Sequence, residues 1–401
     1  MWTAGKTPSY EAGTYSLYVH IPFCRRKCPY CHFYVTPFRL ADAELLVEGL
    51  IAEHRLLRST MTPLRLTSLY LGGGTPALLP AHLMQRLLEE LLPAGTLDAS
   101  DVEISLEANP EDLTEEHLHT SHALGINRLS LGVQSLQEEE LKRLGRHHTA
   151  DQALVAIEQA SQIGFKNISI DLMMETPGQT RSSWQETLQR AIQLPVQHLS
   201  LYNLTIEPHT AFDRQRQKLQ TEIPSPEVGA MMLEDAKSIA ATGGFERYEI
   251  SAFARRSPDD PARLLASRHN TGYWLGRPFW GIGPSAWSFW HKQRFHNLPH
   301  LHRWARTVLS GELARSEEES LSAEARQREM LAVGLRLTDG LDLDLFQRQW
   351  GDFSPTLSAQ LITLSEQELL VRTPSRIHLT ERGLDLHDLV ASELVLATTS
   401  P

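Results

Sequence analysis

Apolar residues follow two alternating rhythms along the chain. Short apolar blocks read as strands: Ser16–His20, Thr67–Leu71, Val102–Glu107, Arg128–Val133, Asn167–Leu172 and His198–Asn203, with Arg247–Ile250 as a seventh candidate. Between them lie helix-length stretches with 3.6-residue spacing, such as Leu45, Leu46, Leu50 and His54, or Leu83, Leu87, Leu88 and Leu91. This alternation predicts an α/β fold of parallel strands joined by right-handed crossovers. Six such units make an open, partial parallel (β/α)6 barrel, in which chemistry gathers at the C-terminal ends of the strands.

The rhythm changes beyond the acidic run Glu317–Glu319. Helical patterns over Ala323–Leu337, Leu343–Trp350 and Ser354–Ser365 precede two short strands, Leu370–Arg372 and Ile377–Leu379. Helices followed by a β-wing predict a winged-helix-like α+β domain. The expected division is residues 1–315 for the barrel and 316–401 for the C-terminal domain, with Ser257–Pro261 as an exposed loop. Ser354–Ser365, at the place of a recognition helix, contains no Lys or Arg. That composition is poor for phosphate contacts, so the domain is expected to cap the barrel mouth or meet a protein partner.

The chain has 401 residues, 41% of them hydrophobic and 22% charged, as in an ordinary soluble globular protein. A net charge of −11 argues against nucleic-acid binding by broad phosphate neutralisation. No apolar run is long enough to cross a membrane. Met1–Tyr15 lacks the apolar stretch of a secretory signal, and the thiols are clustered, so a reducing cytoplasm is the expected compartment.

All 3 cysteines of the chain, Cys24, Cys28 and Cys31, follow the first strand with the spacing C-x3-C-x2-C. An odd count leaves no complete disulfide pairing. Three thiolates can hold three irons of a 4Fe–4S cluster and leave one iron open to a chelating amino and carboxylate group. S-adenosylmethionine carries both, which points to radical chemistry started by a reduced cluster. With His32 next in the chain, the same residues also suit a Cys3His zinc site. Gly72-Gly73-Gly74-Thr75-Pro76 follows the second strand. Its glycines let backbone approach a ligand closely, although a plain tight turn has the same composition.

Together these two motifs resemble the radical S-adenosylmethionine enzymes. Tyr18-Val19-His20-Ile21-Pro22-Phe23-Cys24 narrows the resemblance to the coproporphyrinogen dehydrogenase-like branch. Cys28-Pro29-Tyr30-Cys31, Gly125–Ser135, Ser200–Pro208, Tyr248–Ser251 and His269–Trp274 resemble the haem-chaperone members of that branch. The resemblance implies that Cys24, Cys28 and Cys31 ligate a 4Fe–4S cluster. It implies that Gly74 and Thr75 meet the amino end of S-adenosylmethionine and that Arg146 meets its carboxylate, as a guanidinium fork suits. Glu107, Gln134 and Asp171 each end a candidate strand and would reach ribose hydroxyls or the sulfonium end. Asp171 would alternatively cap the next helix. Tyr18 and Tyr30 would flank the cluster and nucleoside, or simply pack.

His269-Asn270-x-x-Tyr273-Trp274, in a segment near residues 245–290, matches a motif associated with haem in the chaperones. A neutral imidazole at His269 can ligate haem iron. It can equally be a core histidine bonded to a neighbouring loop. The resemblance implies haem as cargo, acceptor haemoproteins as partners, and a flavodoxin or ferredoxin as electron donor. The alternative activity is oxygen-independent oxidative decarboxylation of coproporphyrinogen III. The dehydrogenases carry a fourth cysteine where this chain has Phe33. The chaperones usually carry Asp at position 32 and Gly at position 175, where this chain has His32 and Glu175. Glu175 is expected to bring charge and bulk to the cofactor edge.

Overall fold

A computed structural model describes residues 12–59, 64–92 and 102–396. The first residues of the N-terminal stretch considered above, 1–11, lie outside them. The six expected strands are β1 (Thr14–Ile21), β2 (Arg65–Gly73), β3 (Glu103–Ala108), β4 (Arg128–Gln134), β5 (Ile168–Met174) and β6 (His198–Asn203). They lie side by side in chain order, every pair parallel. Nearly every residue of β1 to β5 is buried, because helices cover the face of a parallel sheet that its own curvature does not. The crossover helices carry their own signals. Thr149 and Gln152 form a capping box at the start of Ala150–Ile163, and Thr180 and Ser183 form another at Arg181–Ala191.

The sheet does not stop at six strands. Beyond β6 it continues antiparallel through β7 (Glu246–Glu249) and β8 (Ala252–Ala254), with β8 inside and β7 at the edge. The seventh candidate is therefore a strand, but an antiparallel edge and not another parallel unit. On the other side, β9 (Phe279–Ile282) runs parallel to β1. It leads to an antiparallel ribbon of β10 (Trp287–Trp290), β11 (Gln293–Asn297) and β12 (Arg315–Glu319). The result is a mixed 12-stranded open sheet. Trp280 stacks on Trp290 at 4.7 Å and joins the ribbon to the main core.

Buried Glu53 of the helix Leu40–Arg58 ties this added sheet down. It accepts hydrogen bonds from Gly283 N, Asn297 Nδ2 and Trp304 Nε1. Burial pushes its carboxyl up to about 7.

The C-terminal unit has a core of its own, including Leu331, Leu335, Leu357, Leu361, Ile377 and Leu394. Its helices flank a small sheet in which Arg376–Leu379 pairs with both Leu341–Asp342 and Leu370–Arg372. This is the expected winged-helix-like arrangement, with Leu341–Asp342 as an added strand. Leu275 and Trp274 pack into that core from the first body. Arg336 links the two bodies through Glu249 (3.0 Å) and the ring of Trp274 (4.4 Å). The acidic run Glu317–Glu319 is not a boundary in space. It lies inside β12, bonded to β11, so a cut at 315/316 would pass through a strand.

Candidate functional site

The cysteine loop leaves the C-terminal end of β1. Phe23–Cys24 pairs with Thr36–Pro37, which closes the loop at its base. The glycine turn after β2 is stitched to it: Gly74 N donates to Ile21 O (2.9 Å) and Thr75 N to Phe23 O (2.7 Å). A Cβ on Gly74 would stand 2.6 Å from the carbonyl oxygen of Phe23. Gly73 has φ +105°, and its Cβ would meet the His20 ring at 2.4 Å. Only glycine fits this approach. Those backbone N–H groups hold the loop, which leaves the Thr75 side chain for contacts at the mouth. Its Oγ1 lies 3.7 Å from Cys24 Sγ and accepts from Asn109 Nδ2 (2.9 Å).

Arg146 approaches from the turn after the helix Glu138–Arg143, which follows β4. It donates to Cys28 Sγ (3.4 Å), Asn109 Oδ1 (2.6 Å) and the carbonyl of Gly132 (2.8 Å). Its buried Nε–H has no partner. An orphaned guanidinium donor beside the thiols is what an incoming carboxylate would satisfy. Arg146, Cys28 and Asn109 also line a cavity of about 440 Å³. Tyr30 stands against Phe212 at 6.1 Å, and burial raises its pKa.

Burial pushes the Cys24 thiol up to about 11 and raises Cys31 in the same way. A metal taken up here must therefore displace protons. Among the described residues, no three Cys, His, Asp or Glu side chains converge on one ion. The residues present fit a 4Fe–4S cluster with S-adenosylmethionine on it.

Glu107, at the end of β3, accepts from Tyr70 Oη (2.7 Å) and Gly73 N (3.0 Å). Burial pushes it up to about 7. Gln134 ends β4 in the left-handed region, φ +67°. A strained non-glycine residue at a strand end marks a site worth holding. Asp171 does not end its strand but sits midway along β5, accepting from Ser130 Oγ (3.4 Å), and burial pushes it up to about 6. It does not cap the next helix, because Thr180 does.

Glu175 departs from its expected place. It adopts φ +59°, a conformation glycine would hold freely, but its carboxylate is aimed at the helix Pro226–Thr242. A Cβ on Gly229 there would fall 2.0 Å from Glu175 Oε1. The side chain is accommodated by that glycine and does not enter the cofactor edge.

A second cavity, of about 630 Å³, opens beside the cysteine loop. Tyr18, His20, His32, Phe33 and Tyr34 line one part, and Tyr273, Trp274, Phe279, Trp287 and Phe289 another. Met330 and Val333 of the C-terminal unit close it, so that unit caps the mouth. Arg277 and Arg294 also stand in its wall. His269 does not line it. The imidazole is 1% exposed, with Nδ1 3.0 Å from Ser68 Oγ and Nε2 2.7 Å from the Tyr273 hydroxyl. Both ring nitrogens are engaged, so His269 is a core histidine that supports a wall residue and not an open iron ligand.

Sequence reasoning did not single out Asn109, His20 or Tyr70. Asn109 bridges Thr75 and Arg146 from the Glu-Ala-Asn-Pro run that ends β3. His20 Nε2 donates to the Tyr34 carbonyl (3.1 Å), which leaves Nδ1 to accept from Tyr18 Oη (3.0 Å). Their positions next to quoted motifs were the available signal.

Residues 18–191 match the radical SAM superfamily model, and residues 321–386 match the HemN C-terminal domain. Heme chaperone HemW of Lactococcus lactis is 32% identical over 95% of this chain and 97% of its own length. Radical S-adenosyl methionine domain-containing protein 1, mitochondrial, of Danio rerio is 34% identical over 89% of this chain and 79% of its own. The solved structure of coproporphyrinogen III oxidase (HemN) from Escherichia coli has a TM-score of 0.78 at 24% identity, covering 94% of this chain and 89% of that one. That likeness establishes the fold. With the sheet, the thiol loop and the capping unit all in place, the chain belongs to the HemW family of radical SAM proteins.

Proposed function

We propose that this chain binds haem in the 630 Å³ aromatic cavity and delivers it to acceptor haemoproteins, with a 4Fe–4S cluster and S-adenosylmethionine at the adjoining mouth. One observation carries the reading. The cavity is walled by Tyr273 and Trp274 of the haem-associated motif on one side and by the cysteine loop on the other. Its volume lies within the range of small-molecule and cofactor sites, and 8 of its lining residues are Phe, Tyr or Trp, which suit a planar apolar macrocycle. Arg277 stands in the wall as a cation for a propionate group, while Arg294 there is already paired with Glu319 and Glu329.

A 4Fe–4S cluster with S-adenosylmethionine supplies one-electron chemistry. The chain's own residues do the rest. Cys24, Cys28 and Cys31 hold the irons. Arg146 offers its free Nε–H to the carboxylate of S-adenosylmethionine. Gly74 and Thr75 shape the amino end, while Glu107, Gln134 and Asp171 offer acceptors to the nucleoside. Tyr18 and Tyr30 exclude water from opposite flanks. Cytoplasmic work, with a flavodoxin or ferredoxin as donor, suits thiols that must stay reduced.

The test is an anaerobic haem titration of reconstituted protein, run beside an incubation with coproporphyrinogen III. A Soret shift at one haem per chain, weakened by Tyr273→Ala, supports the proposal. Formation of protoporphyrinogen IX would replace it with the dehydrogenase reading.

A further inference from the structure

Two imidazoles line the aromatic cavity, His20 and His32, and two stand behind its wall, His269 and His296. His296 is stacked on Trp287 and bonded at both nitrogens, to Ser285 and Ser316. Among these only His32 has an unbonded ring. His269 is bonded at both nitrogens, to Ser68 and Tyr273, and is shut out of the cavity. His20 lines the cavity but is also bonded at both nitrogens, to Tyr18 and to the Tyr34 carbonyl. His32 lines the cavity, is exposed, and makes no hydrogen bond to any described residue. Its one ring contact is with Phe33, at 4.7 Å between centroids.

From this we infer that His32, not His269, supplies the protein ligand to the iron of haem held in the cavity. The inference rests on the haem-binding reading above. A neutral imidazole with an open nitrogen is a common protein ligand for haem iron, and no hydrogen bond has to be broken to use it. Ligation by His269 would require breaking the bond to Tyr273 and opening the wall. The backbone at His32 is restrained for the task. Cys31 N donates to Cys28 O (3.1 Å), and Lys27 Nζ donates to Phe33 O (2.9 Å), so the loop is pinned on both sides of the histidine. Phe33, 56% exposed, stands next to the ligand, where a porphyrin face would cover it. This accounts for a large apolar side chain left in water at the rim.

His32 follows Cys31 directly. Ligation therefore places haem iron one residue along the chain from a cluster ligand. The role of the His269 motif becomes structural: His269 positions Tyr273, which forms wall.

The experiment uses full-length protein reconstituted anaerobically, with iron and sulfide content measured in each variant. Wild type, His32→Ala and His269→Ala are titrated with ferric haem and, separately, with iron-free protoporphyrin IX. Soret position and electron paramagnetic resonance report the axial ligand. The expected result is an imidazole-ligated spectrum in wild type and His269→Ala. His32→Ala should lose that signature and bind haem ~10-fold more weakly, a loss of about 1.4 kcal/mol. Its affinity for the iron-free porphyrin should stay unchanged, and added imidazole should restore the spectrum. An imidazole signature retained in His32→Ala, or lost only in His269→Ala, overturns the assignment and leaves the haem reading standing. Wild type that binds neither porphyrin removes both.

Discussion

The Tyr273 hydroxyl lies 2.7 Å from His269 Nε2, so two members of one sequence motif act as a single buried hydrogen-bonded unit. Ser68 completes it at Nδ1, reaching from β2 to the helix Arg268–Trp274. Burial lowers the His269 pKa to about 3, with Arg277 nearby acting in the same direction. The imidazole is therefore neutral in the folded protein throughout the physiological range. It works as a strut between the sheet and the cavity wall.

His269→Ala should cost about 2–4 kcal/mol in denaturant unfolding, because it removes packing and leaves two hydroxyls without their partner. Tyr273→Phe should cost less, about 1–2 kcal/mol, since only one bond is lost. The double variant should be less destabilised than the sum, as coupled groups require. Strict additivity would show that the two side chains do not share an energy.

Stability should also respond to pH through Glu107. Its folded pKa of about 7 is raised above the ordinary carboxyl value of 4.5. The native state thus holds a proton that the unfolded chain has released. That contribution is complete below pH 4.5 and is lost as pH rises through 7. Glu107→Gln should therefore gain stability relative to wild type across this window, by up to about 3 kcal/mol. A constant difference from pH 4.5 to 8 would contradict the buried, neutral carboxyl.

Arg146→Ala should leave the fold intact and lower affinity for S-adenosylmethionine on the reconstituted protein by ~10- to 100-fold, the worth of one charge-assisted pair. Isothermal titration reads the change. Unaltered binding would assign the guanidinium to Cys28 and Asn109 alone.

Single Ser substitutions of Cys24, Cys28 or Cys31 should each reduce iron and sulfide to well below four per chain after reconstitution. Their circular dichroism should match wild type, since the thiols lie outside both main cores. Full cluster content in any one variant would remove that cysteine from the ligand set.

Glu175→Gly should stabilise the protein by about 1 kcal/mol, because a left-handed backbone strains any residue with a Cβ. Affinity for S-adenosylmethionine should not change, as the carboxylate faces Gly229 and not the mouth. A change in that affinity would return Glu175 to the cofactor edge.

Much of this architecture was legible in the chain. Periodicity alone located β1 to β6 within a residue or two, because a buried parallel strand is a short apolar block that needs no partner to be recognised. Helices and wing of the C-terminal unit were legible for the same reason. Of the flanking strands only β7 was. β9 runs along β1 from the far end of the chain, and its aromatic-rich surroundings carry no clean alternation. β12 reads as an acidic linker because it is an edge strand with its charges in water.

The site divides along the same line. Ligand chemistry is local: three thiols within one loop, a glycine turn and a strand-end carboxylate announce themselves by residue type and spacing. Orientation is not local. Which imidazole is free, where Glu175 points, and which aromatic residues share a cavity depend on partners distant in sequence. Residue order determined what this protein could hold, while the packing of β2, the His269 helix and the capping unit decided which atoms are left open to hold it.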